Sequence, residues 1–192
     1  MVSELIDAFD DYHGLLQRNL ATVRLMIFEG MSGSGKSTAI DYLCRRHRHF
    51  RNRRPRVFQI STSLRQVPLC QNELVVLDEV CFVKQLLLVQ RLLRYGNTVL
   101  VASHLASHWF LPLRMCWPSQ VFVMDRDEAK IERYLRRKQV PFSTSAVRVY
   151  CRFFGANYVD VDFILERYPD VSFDEALGRF RKFCRLQLMP QS

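Results

Sequence analysis

Apolar residues along this chain keep two rhythms. Five short runs have strand length: Arg24-Leu25-Met26-Ile27-Phe28-Glu29, Arg56-Val57-Phe58-Gln59-Ile60-Ser61, Glu73-Leu74-Val75-Val76-Leu77-Asp78-Glu79, Thr98-Val99-Leu100-Val101-Ala102-Ser103 and Gln120-Val121-Phe122-Val123-Met124-Asp125. The unbroken apolar centre of the third suits a strand covered on both faces. Between the runs the spacing becomes helical. Ala39-Ile40-Asp41-Tyr42-Leu43 puts Ile40 and Leu43 on one side, and Gln85 to Tyr95 is leucine-rich and closed by Gly96-Asn97. Ahead of the first run, residues 3–20 predict an amphipathic helix with Leu5, Ile6, Phe9, Leu16 and Leu20 apolar and Gly14 as its weak point.

After Asp125 the strand rhythm stops. Residues 127–138 predict a charged helix, and Pro141-Phe142-Ser143 turns the chain. A helix over 144–154 ends at Gly155, another over 158–167 ends before Pro169, and Ser172-Phe173-Asp174-Glu175 is a capping box opening the last. Phe173, Leu177, Phe180 and Phe183 give that helix its apolar side. The expected fold is α/β: a five-stranded, mostly parallel sheet flanked by helices, with a small C-terminal all-helical lid. The expected division is 1–22 as the N-terminal helix, 23–125 as the core and 126–192 as the helical subdomain.

Between the first strand and its helix stands the pattern that gives this layout a chemistry. Gly30-Met31-Ser32-Gly33-Ser34-Gly35-Lys36-Ser37-Thr38 is glycine, four residues, then Gly-Lys-Ser, a phosphate-binding P-loop. Gly30, Gly33 and Gly35 let the backbone turn several N–H groups into one concavity. Lys36 adds a charge for the terminal phosphates, and the Ser37 hydroxyl can help hold magnesium. A helix starting at Gly35 presents its positive dipole end to the same anion. The expected ligands are ATP and Mg2+, with Gly30, Ser32, Gly33, Ser34, Gly35, Lys36, Ser37 and Thr38 around them.

In an open parallel sheet, ligands sit beyond the carboxyl ends of the strands. Those ends carry the P-loop, Asp78-Glu79, Ser103-His104 and Asp125-Arg126. Asp78 and Glu79 close an otherwise buried strand, and such carboxylates need a cationic partner. Magnesium on a triphosphate supplies it: Asp78 would hold the ion with Ser37, and Glu79 would orient or deprotonate an attacking water. Ser103 or His104 could sense the γ-phosphate or the water, whereas His108 beside Trp109 is expected to pack.

Composition narrows the partners. The formal net charge is +9, from 23 Arg and 5 Lys against 19 acids. Seven arginines fall within Arg45 to Arg56, interleaved with His47, His49 and Phe50. That cluster suggests nucleic acid or an acidic protein, or else a solvated connection. It follows the P-loop helix, so it should lie some 15–20 Å from the nucleotide, at the far edge of the sheet. No apolar run approaches the roughly 20 residues that span a bilayer. The N-terminus lacks a secretory pattern, and six scattered cysteines without a C-x-x-C pair read as a cytoplasmic protein without disulfides or structural zinc.

The P-loop, Val75-Val76-Leu77-Asp78-Glu79 and Ala102-Ser103-His104 together resemble an AAA+ ATPase core. Asp127 to Arg137, Val140-Pro141-Phe142-Ser143 and Gly155-Ala156-Asn157 to Glu166 resemble the helical lid of that family. Leu113-Arg114-Met115-Cys116 is similar to its segment bearing an arginine finger. The resemblance, over residues 24–187, implies that Lys36, Ser37 and Thr38 bind phosphates and magnesium. It implies Asp78 and Glu79 as the Walker B pair, Ser103 or His104 as first sensor, and Arg114 reaching the γ-phosphate of an adjacent subunit. A homo-oligomer with shared nucleotide sites follows from it. The chain departs from the family in two places: Asn157 is followed by Tyr158 and Val159 rather than a second sensor arginine, and residues 62–72 leave little room for a pore loop.

The reading is an ATP-hydrolysing switch or loader in a larger assembly. One alternative is a small-molecule kinase, since Ile27-Phe28-Glu29-Gly30 resembles the loop entry of thymidylate kinases. The other is a nucleotide-bound scaffold that does not hydrolyse.

Overall fold

The computed structural model describes residues 14–60, 67–68, 70–124 and 128–187, with side chains to residue 184. These fall into two compact units. The first takes the described residues up to Gly30 and from Gly35 to Met124; the second takes Met31–Ser34 and the described residues beyond Met124.

The first unit is built on β1 (Leu25–Glu29), β2 (Arg56–Gln59), β3 (Leu74–Val80), β4 (Thr98–Ser103) and β5 (Ser119–Val123). Their order is β2-β3-β4-β1-β5 and every pairing is parallel, so the expected mostly parallel sheet is parallel throughout. Alternate residues of the strands feed two cores. On one face α1 (Lys36–Arg46) buries Ala39, Ile40 and Leu43 against Met26, Phe28, Leu100 and Phe122. On the other, Val89, Leu92 and Leu93 of α2 (Leu86–Arg94) and Leu113 of α3 (Leu111–Cys116) meet Ile27, Val75, Leu77 and Val101. Central strands covered on both sides need no polar alternation, which is why β3 and β4 read as continuous apolar runs.

Several boundaries differ from the sequence expectation. The helix predicted over residues 3–20 lies mostly outside the described residues. Inside them Gly14 sits at φ 60°, and only Leu15–Gln17 forms a turn, of 3-10 type. Asp125 and Arg126 also lie outside the described residues, and β5 ends at Val123. Only Cys44 and Cys70 are buried, while Cys81 and Cys116 are exposed. Burial, helped by Asp41, pushes the Cys44 thiol up to about 12. Gly96-Asn97 does stop α2: Gly96 takes φ 80°, and its N–H donates to Leu93 O at 3.1 Å. Asn97 is then fully buried, donating to Cys70 O and Leu92 O at 2.7 and 2.8 Å while accepting from Glu73 N–H at 2.9 Å.

The second unit holds α4 (Glu128–Arg137), α5 (Thr144–Phe154), α6 (Tyr158–Arg167) and α7 (Phe173–Gln187) around Ile131, Leu135, Val147, Tyr150, Ile164 and Phe173. Local capping sets the boundaries. Ser143 Oγ accepts from Ala146 N–H at 3.1 Å, Gly155 ends α5 at φ 74°, and Ser172 Oγ accepts from Glu175 N–H at 3.3 Å. The Asp174 carboxylate takes the Ser143 N–H at 2.8 Å, tying the start of α7 to the start of α5.

Candidate functional site

Within the first unit the site begins where α1 leaves the glycine loop. Gly35 stands at φ 85°, a left-handed conformation that a Cβ would disfavour, and Lys36 opens the helix. Lys36 is 6% exposed, and its ammonium donates to Gly30 O at 2.8 Å. Ser37, next along the helix, points across to β3. Its hydroxyl lies 3.0 Å from both Asp78 carboxylate oxygens, a contact between residues 41 apart in sequence. Thr38 continues the helix. The loop and the acidic strand end, read separately from the sequence, thus meet atom to atom.

The acidic pair is also set by an irregularity in the sheet. Leu77 pairs with Val101, but Val80 pairs with Ser103, so β3 carries one residue more than β4 over that interval. The extra residue is absorbed at Glu79, which adopts φ 62° and stands exposed. A bulge re-aims side chains where regular pleating would send neighbours to opposite faces. Asp78 Oδ1 accepts the Glu79 N–H at 3.0 Å, which holds the bend. Left-handed backbone at a non-glycine residue costs roughly 1–2 kcal/mol, and such strain collects where geometry serves function.

The end of β4 completes this side. Gly30 N–H donates to Ser103 O at 3.1 Å, and His104 N–H donates to Val80 O at 2.9 Å. His104 is exposed, and its pKa is lowered from 6.5, first by desolvation and then by the Lys36 cation, with Glu79 and Asp78 pulling the other way. Lys36, Asp78, Glu79 and His104 therefore share one electrostatic environment. Ser103 is different: fully buried, its hydroxyl accepts from Leu105 N–H at 2.9 Å and donates to Leu105 O at 3.0 Å. It closes a turn and leaves His104 as the group facing outward. His108 does pack on Trp109, at 5.3 Å between rings, but both are exposed. Arg114 is not brought into this cluster. It is exposed on α3, beside Leu111 and Met115, which are 53% and 80% exposed.

Two positioning residues escaped the sequence reading. Gln85, 1% exposed, accepts the N–H groups of Cys81 and Phe82 at 2.8 Å each and donates to Ile60 O at 3.2 Å. It fixes the segment that leaves Glu79. Glu29 Oε2 accepts the Ser107 N–H at 2.8 Å and fixes the segment after His104. Gln85 combines a local grip on the backbone three and four residues before it with a distant one on Ile60, and Glu29 acts on backbone 78 residues away, a contact that no spacing rule flags.

The four central loop residues, Met31–Ser34, belong to the helical unit. Gly33 takes φ 74°, and its carbonyl accepts the Tyr158 N–H at 3.1 Å. A Cβ on Gly33 would collide with Asn157 Oδ1 and lie 2.8 Å from Val159 Cγ2. Asn157 caps α6 by accepting from Val159 N–H at 2.9 Å. Lys130, 5% exposed, donates to Ser34 O and, at 3.0 Å, to Ala156 O, with its ammonium 4.4 Å from the centre of the Tyr158 ring. The Asn157-Tyr158-Val159 stretch that lacks a second sensor arginine is therefore the stretch that grips the loop residues.

No family model matches the chain, and no curated protein does. Solved structures do. A point variant of Thermotoga maritima RuvB is similar over 95% of this chain and 66% of its own, at 13% identity and a TM-score of 0.45. The T. maritima RuvB Holliday junction branch migration motor gives 14% identity and a TM-score of 0.44 over the same shares. A chain of the HORMA:CdnC:Trip13 complex from E. coli MS115-1 gives 11% and 0.43, over all of this chain and 86% of its own. These neighbours are AAA+ ATPases. This chain thus spans just under two thirds of the length of the RuvB chains it matches.

The side chains fit a magnesium-bound phosphate on their own terms. Magnesium needs only one or two protein oxygens when substrate phosphates and water fill the rest of its shell. Ser37 Oγ and the Asp78 carboxylate already converge as such a pair. Ser34 Oγ is buried with no hydrogen-bond partner among the described residues, a polar atom still wanting one.

Proposed function

We propose that this chain binds ATP with magnesium and hydrolyses it, acting as a nucleotide-dependent switch or loader within a larger assembly. One observation carries the reading: the Ser37 hydroxyl on both oxygens of Asp78, which joins a glycine-lysine loop to an acidic strand end. Neither half alone implies hydrolysis; together they supply a phosphate cradle with a metal ligand and a neighbouring free carboxylate.

In this reading the N–H groups and glycines of Gly30 to Thr38 hold the phosphates, and Lys36 gives up its bond to Gly30 O for the terminal phosphate oxygens. Magnesium held by Ser37 and Asp78 supplies neutralisation of phosphate charge. Glu79, displaced outward by the bulge, orients and deprotonates the attacking water. His104, kept neutral at pH 7 by its lowered pKa, can donate to or accept from that water or a phosphate oxygen without adding charge.

Arg114 takes part only through assembly. Its exposed position among Trp109, Leu111 and Met115 supports a contact in which it reaches a neighbouring subunit. Apolar residues of that size, exposed by 47%, 53% and 80%, favour burial against a partner. Phosphate release measured against protein concentration tests this. The expected result is a rate per chain that climbs with concentration and falls about 10³-fold or more in Arg114→Ala. A rate that is flat with concentration and indifferent to Arg114 would sink the shared site. Phosphate transferred to a nucleoside acceptor instead of water would establish the kinase reading.

A further inference from the structure

The end of the sheet away from the glycine loop has a surface of its own. Residues 47–55 run from the last turn of α1 to the start of β2, and three side chains pin them down. His47, 1% exposed, has Nε2 3.0 Å from Arg18 O, and its Nδ1 accepts the His49 N–H at 3.2 Å. Phe50 is fully buried. Arg53 reaches back to Thr98 Oγ1 at 3.5 Å, which places the segment at the N-terminal end of β4. Successive turns from Phe50, Arg51 and Arg53 N–H to the carbonyls of His47 and Phe50 complete it, at 2.8–2.9 Å.

This pinning turns arginines outward. Six of the seven arginines in Arg45–Arg56 are exposed. Arg45 is paired with Asp41 and Arg56 with Glu73, each at 2.9 Å. The side chains of Arg48, Arg51 and Arg54 make no hydrogen bond or ion pair among the described residues, and they recur every third position. The first unit's other described carboxylates, Glu29, Asp78 and Glu79, stand at the opposite, C-terminal ends of the strands. Among the first unit's described residues, no further acid stands at this end to answer the three guanidinium groups.

We propose that this loop, with Arg48, Arg51 and Arg54 at its centre, binds the phosphate backbone of nucleic acid. Guanidinium forks match phosphate oxygens two by two, and an arginine run favours them over the looser contacts of lysine. Acidic proteins and lipid surfaces usually need apolar anchors as well. The one Phe, Tyr or Trp within Arg45–Arg56, Phe50, is turned into the core, with the His47 and His49 rings packed against it. Its burial also removes base stacking, so the contact is with backbone alone and indifferent to sequence. The surface lies across the sheet from the glycine loop, separated from it by α1, 11 residues or about 16 Å long. It therefore acts without touching the nucleotide, and the proposal does not need the ATP reading to be right.

The test is the affinity of the full chain for a short labelled DNA duplex, without nucleotide, between 50 and 200 mM salt. Three phosphate contacts give a slope of about −2.7 in log affinity against log salt, or about a 40-fold loss over that range. The Arg48→Gln, Arg51→Gln, Arg54→Gln triple variant should bind at least tenfold more weakly at 50 mM, flatten the slope by about 2.7, and keep the ATP affinity of wild type. A duplex scrambled in sequence should bind equally. Duplex affinity unchanged in the triple variant, or no duplex binding at 50 mM, overturns the proposal. So does displacement of duplex by polyglutamate at equal charge concentration, which would name an acidic polypeptide as the partner.

Discussion

Glu79 concentrates the tension between stability and chemistry at a single residue. Its φ of 62° is one that glycine adopts freely and glutamate does not. Glu79→Gly should therefore raise stability in urea unfolding by about 1 kcal/mol while abolishing phosphate release, and Glu79→Gln should keep nucleotide binding but slow release by about 10²–10⁴. A Glu79→Gly chain no more stable than wild type would remove strain from the account. His104 gives a second test. Its pKa lies below 6.5, so the unfolded chain takes up a proton that the folded chain resists. Its contribution to stability is whole above about pH 6.5 and is lost as pH falls through that window to the folded value. An NMR titration should place the midpoint below 6.5, with Lys36→Met raising it and Glu79→Gln lowering it further; a midpoint unmoved by either substitution would part His104 from the cluster. Lys36, Ser37 and Asp78 were legible in sequence because glycine spacing and an acid after an apolar run are local patterns. The strain at Glu79, the hold of Gln85 on Ile60 and the hold of Glu29 on Ser107 were not, since each depends on a strand or loop brought in from elsewhere.

Elements were legible where their limits are chemically local. α5 and α6 run over the spans expected from sequence, 144–154 and 158–167, because Ser143, Gly155 and Asn157 start or stop them using their own neighbours. Asn157→Ala should cost about 1 kcal/mol through loss of the α6 cap, read as a lower urea midpoint at unchanged slope. Gly33→Ala should cost more, since it combines a left-handed φ of 74° with a collision at Asn157 Oδ1. If Gly33→Ala were neutral, the packing of Met31–Ser34 in the helical unit would be wrong. The β3 bulge was not legible, because a one-residue register shift is defined only against β4. Nor was the short β2: four residues, mostly exposed, end at Gln59 although Ile60 stays apolar and buried. Among the described residues β2 forms one edge of the sheet and pairs with β3 alone, so its length depends on pairing more than on its own apolar content.

For the molecule as a whole, strand-helix alternation followed by helices alone was enough to anticipate a parallel sheet and a separate helical core. What periodicity could not anticipate is that the glycine loop is divided, with Gly30 and Gly35 counted in one compact unit and Met31–Ser34 in the other. A ligand held by that loop binds the folded chain and not the unfolded one, so it stabilises by mass action, about 2.7 kcal/mol at a hundredfold excess over Kd. The most direct test of the central claim is calorimetric titration of the chain with Mg·ATP. The account predicts one ATP taken up per chain, uptake lost in Lys36→Ala and retained in Glu79→Gln. Wild-type chain that takes up no ATP, or Lys36→Ala that binds it as tightly as wild type, would contradict it.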